Sequence, residues 1–156
     1  MPQSLWLLYD GYMGVTTNKI VLDTCVLVSA ARSRNGASFA LVASLPDPRF
    51  QICLSVALYT EWQAVLSRAE HLPPGTDADM ALAFARYLAS TAHLQDVHFL
   101  WRPFLRDPVD DMVLESAIAS GANTIVTHNL KDFARAASLG VHAKTPSQFL
   151  KTLKEK

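Results

Sequence analysis

The chain has 156 residues, half of them hydrophobic, with six glycines and eight prolines, enough for one well-buried core and too few for a second. Fourteen Lys and Arg balance fourteen Asp and Glu, so the protein does not grip nucleic acid through overall charge, and any such contact belongs to a local patch. Cys25 and Cys53 stand among apolar neighbours without disulfide or metal-ligand spacing, which excludes a disulfide scaffold and reads as free thiols in a reducing compartment.

No apolar run approaches the roughly 18 to 20 residues of a membrane-spanning helix. The amino-terminal stretch MPQSLWLLYDGYMGVTTNK has an apolar patch at 5–9, but no basic residue precedes it and Asp10 interrupts it. That is not the form of a secretory signal, so a cytoplasmic protein without membrane contact is expected. Residues 1–18 read as an arm, disordered or packed on a partner, or as the product of an upstream start with Met13 as the beginning; residues 19–156 are expected to form the domain.

Ile20, Val21 and Leu22 make a short apolar run closed by Asp23, the pattern of a strand buried on both faces. Residues 25–32 read as a helix and 33–36 as a turn; a second helix over 37–45 is stopped by Pro46 and Pro48. An apolar strand over 50–54 leads to Ser55, the cap of a helix to residue 68 with Leu58, Trp62, Val65 and Leu66 on one face. After Pro73-Pro74-Gly75, Thr76 or Asp77 caps a helix to residue 91 that carries Met80, Leu82, Phe84, Tyr87 and Leu88. A short strand is placed over 95–99. Asp107-Pro108 then opens a helix, proline suiting its first position and aspartate its cap; Met112, Val113, Ala117 and Ile118 form its inner side and Gly121 stops it. Residues 124–127 read as a strand, 131–138 as helical and 140–143 as a last strand. Pro146 starts a terminal helix with Phe149, Leu150 and Leu153.

Short apolar strands separated by helices indicate an α/β domain, three layers deep, around a mostly parallel sheet of four to five strands. Ligands of such sheets collect at the carboxyl ends of the strands. Asp23 ends the first strand, Glu61 lies in the helix after the second, Asp110 and Asp111 lie in the first turn after Pro108, and Asp132 follows the strand that ends at Thr127. All five can reach that edge. Clustered carboxylates repel, and burying an unpaired charge is costly, so the cluster requires protons, basic partners or a cation. Oxygen donors without a His or Cys grouping favour Mg2+ or Mn2+. Each acid also has a plainer use. Asp107, Asp110 and Asp111 can cap a helix, Glu61 can be a surface residue, and Asp132 can serve a turn. Asp23, at the end of a buried strand, is the hardest to explain without a partner.

Taken together, the pattern resembles the PIN domains, metal-dependent ribonucleases that include the VapC-type toxins of toxin–antitoxin pairs. IVLDTCVLVSA is similar to the family's opening strand, with Asp23 in the place of its first metal ligand and Thr24 beside it. SVALYTEWQAVL is similar to the second block, with Glu61 as second acid, and DPVDDMVLESAIASGANTIVTHNLKDF to the third and fourth, with Asp110 as third acid and Asp111 as a neighbour able to share the role. Many relatives carry an aspartate two residues after the last strand's threonine, whereas Thr127 is followed by His128 and Asn129. Asn129 would offer a neutral oxygen, Asp132 would supply the missing charge, and a second metal would bind weakly.

The resemblance implies a Mg2+- or Mn2+-dependent endoribonuclease, with Asp23, Glu61, Asp110 and Asp132 as catalytic acids and Asp23, Glu61, Asp110, Asp111 and Asn129 as the ligand set. Thr24 and Thr127 would orient the water or a carboxylate. Arg32, Arg34, Lys131 and Arg135, with Arg102 and Arg106 as weaker candidates, would receive phosphates. Trp101 and Phe104 could stack on bases, and His128 could contact a phosphate near Asn129. For each of these cations, aromatics and the histidine, a surface or core role is the commoner use. The resemblance also implies an RNA substrate, an antitoxin partner and a homodimer. Two alternatives stand beside it. One is a PIN-like module whose site has decayed and which binds RNA or protein. The other is a phosphohydrolase of the haloacid-dehalogenase type, for which Thr127 and Lys131 fit but which needs an aspartate where Cys25 stands.

Overall fold

The structure, a computed structural model, describes residues 18–98 and 102–155. Strand β1, Asn18–Leu22, carries Ile20, Val21 and Leu22 fully buried, as a central strand must. The strands β2 (Phe50–Leu54), β3 (His93–Leu94), β4 (Thr124–Val126) and β5 (His142–Lys144) join it in the order β3-β2-β1-β4-β5, every pair parallel. The helices are α1 (Thr24–Arg32), α2 (Ala37–Ala43), α3 (Val56–Leu66), α4 (Ala78–Thr91), α5 (Pro108–Ser120) and α6 (Pro146–Lys154).

Crossovers between parallel strands are right-handed in nearly all proteins, so the links running β1 to β3 and those running β3 to β5 take opposite faces of the sheet. Contacts follow this division. Helix α1 packs on α2 and α3, and α3 on α4, whereas α5 lies over β1, β2 and β4. The expected α/β/α sheet of four to five strands is therefore present with five.

Local chemistry explains most boundaries. Ser55 accepts from the Leu58 N–H and Asp77 from the Met80 N–H, so Asp77 rather than Thr76 caps α4. Asp107 accepts from the Val109 N–H, Pro108 occupies the first turn, and Gly121 ends α5 at φ 74°, a left-handed conformation that glycine adopts freely. Helix α6 opens with a reciprocal pair of hydrogen bonds between Thr145 and Gln148.

Several expectations need correction, among them the last strand, which is His142–Lys144 rather than 140–143. Strand β3 lies at His93–Leu94 rather than over 95–99, although the Gln95 N–H still donates to the Leu54 carbonyl at 2.9 Å. The helical stretch expected over 131–138 is a run of 3-10 turns, Leu130–Leu139. Its apolar residues Leu130, Phe133, Ala136 and Leu139 recur every third position, the period of a 3-10 helix. Helix α5 is buried on nearly every side, including Asp111, Glu115, Ser116 and Ser120, while Met112 and Ile118 of the expected inner side are only half-buried. On α4 the buried residues are Ala85 and Leu88, with Met80 and Tyr87 exposed. Asn18, assigned to the arm, begins β1; residues 1–17, and with them the apolar patch at 5–9, lie outside the described residues, as do Phe99 and Trp101.

Candidate active site

The strand order reverses between β1 and β4: from β1 the chain moves outward to β2 and β3, then returns past β1 to β4. The carboxyl ends of two such strands diverge into a crevice where α/β proteins place ligands. Asp23 follows β1 at that point and Thr127 follows β4. The Asp23 N–H donates to the Val126 carbonyl at 2.9 Å, which pins the two strand ends side by side.

Asp23 is only 6% exposed, and although it stands at the start of α1 its carboxylate makes no capping bond there. It turns instead to Thr127, whose hydroxyl donates to Oδ2 at 2.7 Å, while the Cys25 thiol donates to the same oxygen at 3.3 Å. The Thr127 Oγ1 in turn accepts the Asn129 N–H at 3.0 Å. The proton and one lone pair of this fully buried hydroxyl are thus assigned, and the Asp23 carboxylate is held in one orientation. Burial, with the Asp23 charge beside it, pushes the Cys25 thiol up to about 11. The neighbouring Thr24 Oγ1 is buried without a hydrogen-bond partner.

Asp110 stands in the first turn of α5. Burial pushes its carboxyl up to about 7, helped by the charges of Asp23, Asp107, Asp132 and Asp111 in that order. A helix amino terminus normally favours a carboxylate, so burial and repulsion together outweigh the dipole here. Asp23 and Asp132 therefore lie near enough to Asp110 for their charges to act on it, and Asp132 and Asn129 are exposed.

Several residues expected at the site have other work. Asp111, expected to share the third acid's role, is 1% exposed and accepts the Leu105 N–H at 2.7 Å and the Phe104 N–H at 3.3 Å, clamping the loop ahead of α5. Arg32 lies in the last turn of α1, about 14 Å along the helix from Asp23. It donates to the Glu70 carbonyl at 2.6 Å, and Arg34 follows it at the same remote end. Arg135 covers the Phe104 ring at 4.8 Å and donates to the Phe104 carbonyl at 2.8 Å, so this arginine and this aromatic hold each other. Arg102 forms a two-pronged pair with Glu115 at 3.0 to 3.2 Å. His128 meets the Ser38 hydroxyl at 2.9 Å. Lys131 and Arg106 are exposed. Glu61 is half-buried on α3 and is not among the carboxylates whose charge acts on Asp110.

Sequence reasoning missed Glu115 and the Cys25 contact. A glutamate at the eighth position of a helix, among apolar and small residues, was the available sign for the first; the second follows from Cys25 lying two residues past a strand-end aspartate.

Among the described residues, no three His, Cys, Asp or Glu side chains form a group that could hold a metal ion as they stand. The chemistry of the donors nonetheless suits a hard divalent cation. They are all oxygen, two of the three converging carboxylates are partly or wholly buried, and their mutual repulsion lacks a compensating cationic side chain in the hydrogen bonds described above.

A profile of the PIN domain family matches residues 19–131. Among solved structures, the fold is similar to that of VapBC2 from Rickettsia felis bound to a DNA fragment from its promoter. The TM-score there is 0.58, with 17% identity over 81% of this chain and 98% of that chain. It is also similar to that of FitAB bound to an IR36 DNA fragment, with a TM-score of 0.55 and 18% identity over 81% of this chain and 94% of that one. At these identities the likeness is one of fold. Comparison with curated proteins yields no match.

Proposed function

The chain belongs to the PIN domain family, and from that membership we propose that it is a metal-dependent endoribonuclease that hydrolyses RNA phosphodiesters to a 3′-hydroxyl and a 5′-phosphate, and that it serves as the toxin of a toxin–antitoxin pair. The observation that carries the nuclease reading is that Asp23 and Asp132 act on Asp110 at the reversal of strand order, where burial, helped by their charges, lifts the Asp110 carboxyl to about 7. The toxin role is supported by the fold likeness to VapBC2 and FitAB, and an antitoxin protein and a homodimer belong to the same proposal.

Asp23, Asp110 and Glu61 would hold Mg2+ or Mn2+, with Asp132 and Asn129 at the outer side. A bound divalent ion supplies Lewis acidity to a phosphate oxygen and lowers the pKa of water. The chain's own groups do the rest. Thr127 keeps Asp23 in one rotamer through the 2.7 Å bond, and the Asn129 N–H fixes the Thr127 hydroxyl, so the first ligand needs no reorganisation. Asp110 gives up its proton when a cation arrives. Exposed Lys131, next to Asp132, is the cation placed to receive an RNA phosphate at an otherwise acidic mouth. Asn129, neutral where many relatives carry a charge, weakens any second ion site.

The test is cleavage of a labelled RNA with Mn2+ or Mg2+ at millimolar concentration, comparing the protein with Asp23→Asn. We expect products ending in 3′-hydroxyl and 5′-phosphate, and their disappearance in the variant. Asn129, together with the lack of a ready three-ligand group, favours a second reading, a decayed module that binds RNA without cutting it. RNA affinity that is indifferent to Mn2+, with no shortening of the strand, would establish that reading instead.

A further inference from the structure

Away from the carboxylates, a cavity of about 350 Å3 opens between the last turns of α1 and α3, helix α2 and the first half of α4. Its walls are apolar, from Ala30, Val42, Ala43, Leu66 and Phe84, and its rim carries Met80 and Tyr87, 52% and 53% exposed, together with Arg34. Large apolar side chains exposed around a concave apolar wall mark a surface that something covers. Helices α1 and α3 both start at the carboxyl edge of the sheet and run away from it, so this cavity lies at the opposite end from Asp23.

We propose that residues 5–9 of the same chain, Leu-Trp-Leu-Leu-Tyr, fill this cavity. The chain enters the fold at Asn18, beside Phe50 of β2. Five residues before Phe50, the Leu45 carbonyl accepts the Tyr87 hydroxyl at 3.1 Å, so the cavity's rim adjoins the strand end where the amino-terminal segment begins. The eight residues from 10 to 17 can span up to roughly 26 Å when extended, which is ample to bring residues 5–9 back to that rim. The patch offers five large apolar side chains in a row and is followed at once by Asp10, while the cavity offers an apolar wall with the cationic Arg34 at its edge. Composition and charge order match.

Trp6 reports on this directly. In the full chain, the difference in fluorescence between the protein and its Trp6→Phe variant isolates the Trp6 emission. We expect a blue-shifted, buried emission that moves to that of an indole in water in Ala43→Glu, which places a charge on an exposed helical position of the cavity wall. We expect Tm to fall by roughly 5 °C in the same variant. Arg34→Glu should produce a smaller shift of the same sign, partly restored by adding Asp10→Lys. Water-like Trp6 emission in the unaltered protein, or emission that Ala43→Glu leaves in place, overturns the proposal. A blue shift that vanishes on hundredfold dilution while the solution mass halves also overturns it, and assigns the cavity to the segment of a second copy.

Discussion

Asp110 bears a charge that its surroundings resist. Its carboxyl sits near 7 in the fold against 3.8 when free, so between about pH 4 and pH 7 the unfolded chain has released this proton while the folded chain retains it. Metal-free protein should accordingly lose stability as pH rises through that window and level off above it. Because the group is partly open to water, the effect is on the order of 1 kcal/mol after allowance for screening, or about 2–4 °C in Tm. Asp110→Asn should raise the metal-free Tm at pH 8, flatten the pH dependence and remove cleavage, a trade of activity for stability; melting curves at several pH values check it. Thr127→Val removes the donor to Asp23 and should lower metal affinity or cleavage roughly 10- to 100-fold, with Thr127→Ser restoring most of it. Asp23 was legible in the sequence because a carboxylate at the end of a buried strand has few other uses. Asp111 was not, because two adjacent aspartates in a first helical turn look alike until the loop that one of them clamps is seen.

At the scale of elements, the loop ahead of α5 is held from two sides, by the Asp111 carboxylate on the Phe104 and Leu105 N–H groups and by Arg135 on the Phe104 carbonyl and ring. This double grip joins α5, which carries Asp110, to the 3-10 run, which carries Asp132. Asp111→Ala strips buried donors of their acceptor and should cost about 1–3 kcal/mol in denaturant unfolding, whereas Arg135→Ala, at an exposed site, should cost less than about 1 kcal/mol. If Asp111 were a metal ligand instead, its removal would abolish the Mn2+ response while leaving the metal-free fold intact. Helix ends were legible because caps and breakers are local chemistry, as Ser55, Asp107, Gly121 and Pro146 show. Strand β3 was misplaced by two residues because both of its side chains are exposed, which leaves no apolar pattern to read.

For the whole molecule, short apolar strands between helices disclosed the parallel α/β architecture, but which strands adjoin was not written locally: β1 pairs with β4 across a hundred residues. The convergence of acids at one edge was an inference from that architecture, and the charges of Asp23 and Asp132 do act on Asp110. Arg32 was not placed by the sequence, because a helix of nine residues carries it to the end of the fold away from Asp23. Ligand linkage offers a global check. Mn2+ that binds only the folded state should raise Tm progressively through the millimolar range, and Asp23→Asn should suppress most of that rise.

The bond between the Thr127 hydroxyl and the Asp23 carboxylate joins residues 104 positions apart. During synthesis the first of these leaves the ribosome long before the second, and a chain cut short anywhere between them has only one wall of the crevice. On the proposed function, nascent and truncated forms would therefore leave the RNA around them uncut, and cleavage would begin only when the last third of the protein has been made and has docked. A cell that produces such a protein would then gain an interval, set by translation and by slow pairing of distant strands, in which to meet the finished chain with the antitoxin proposed for it.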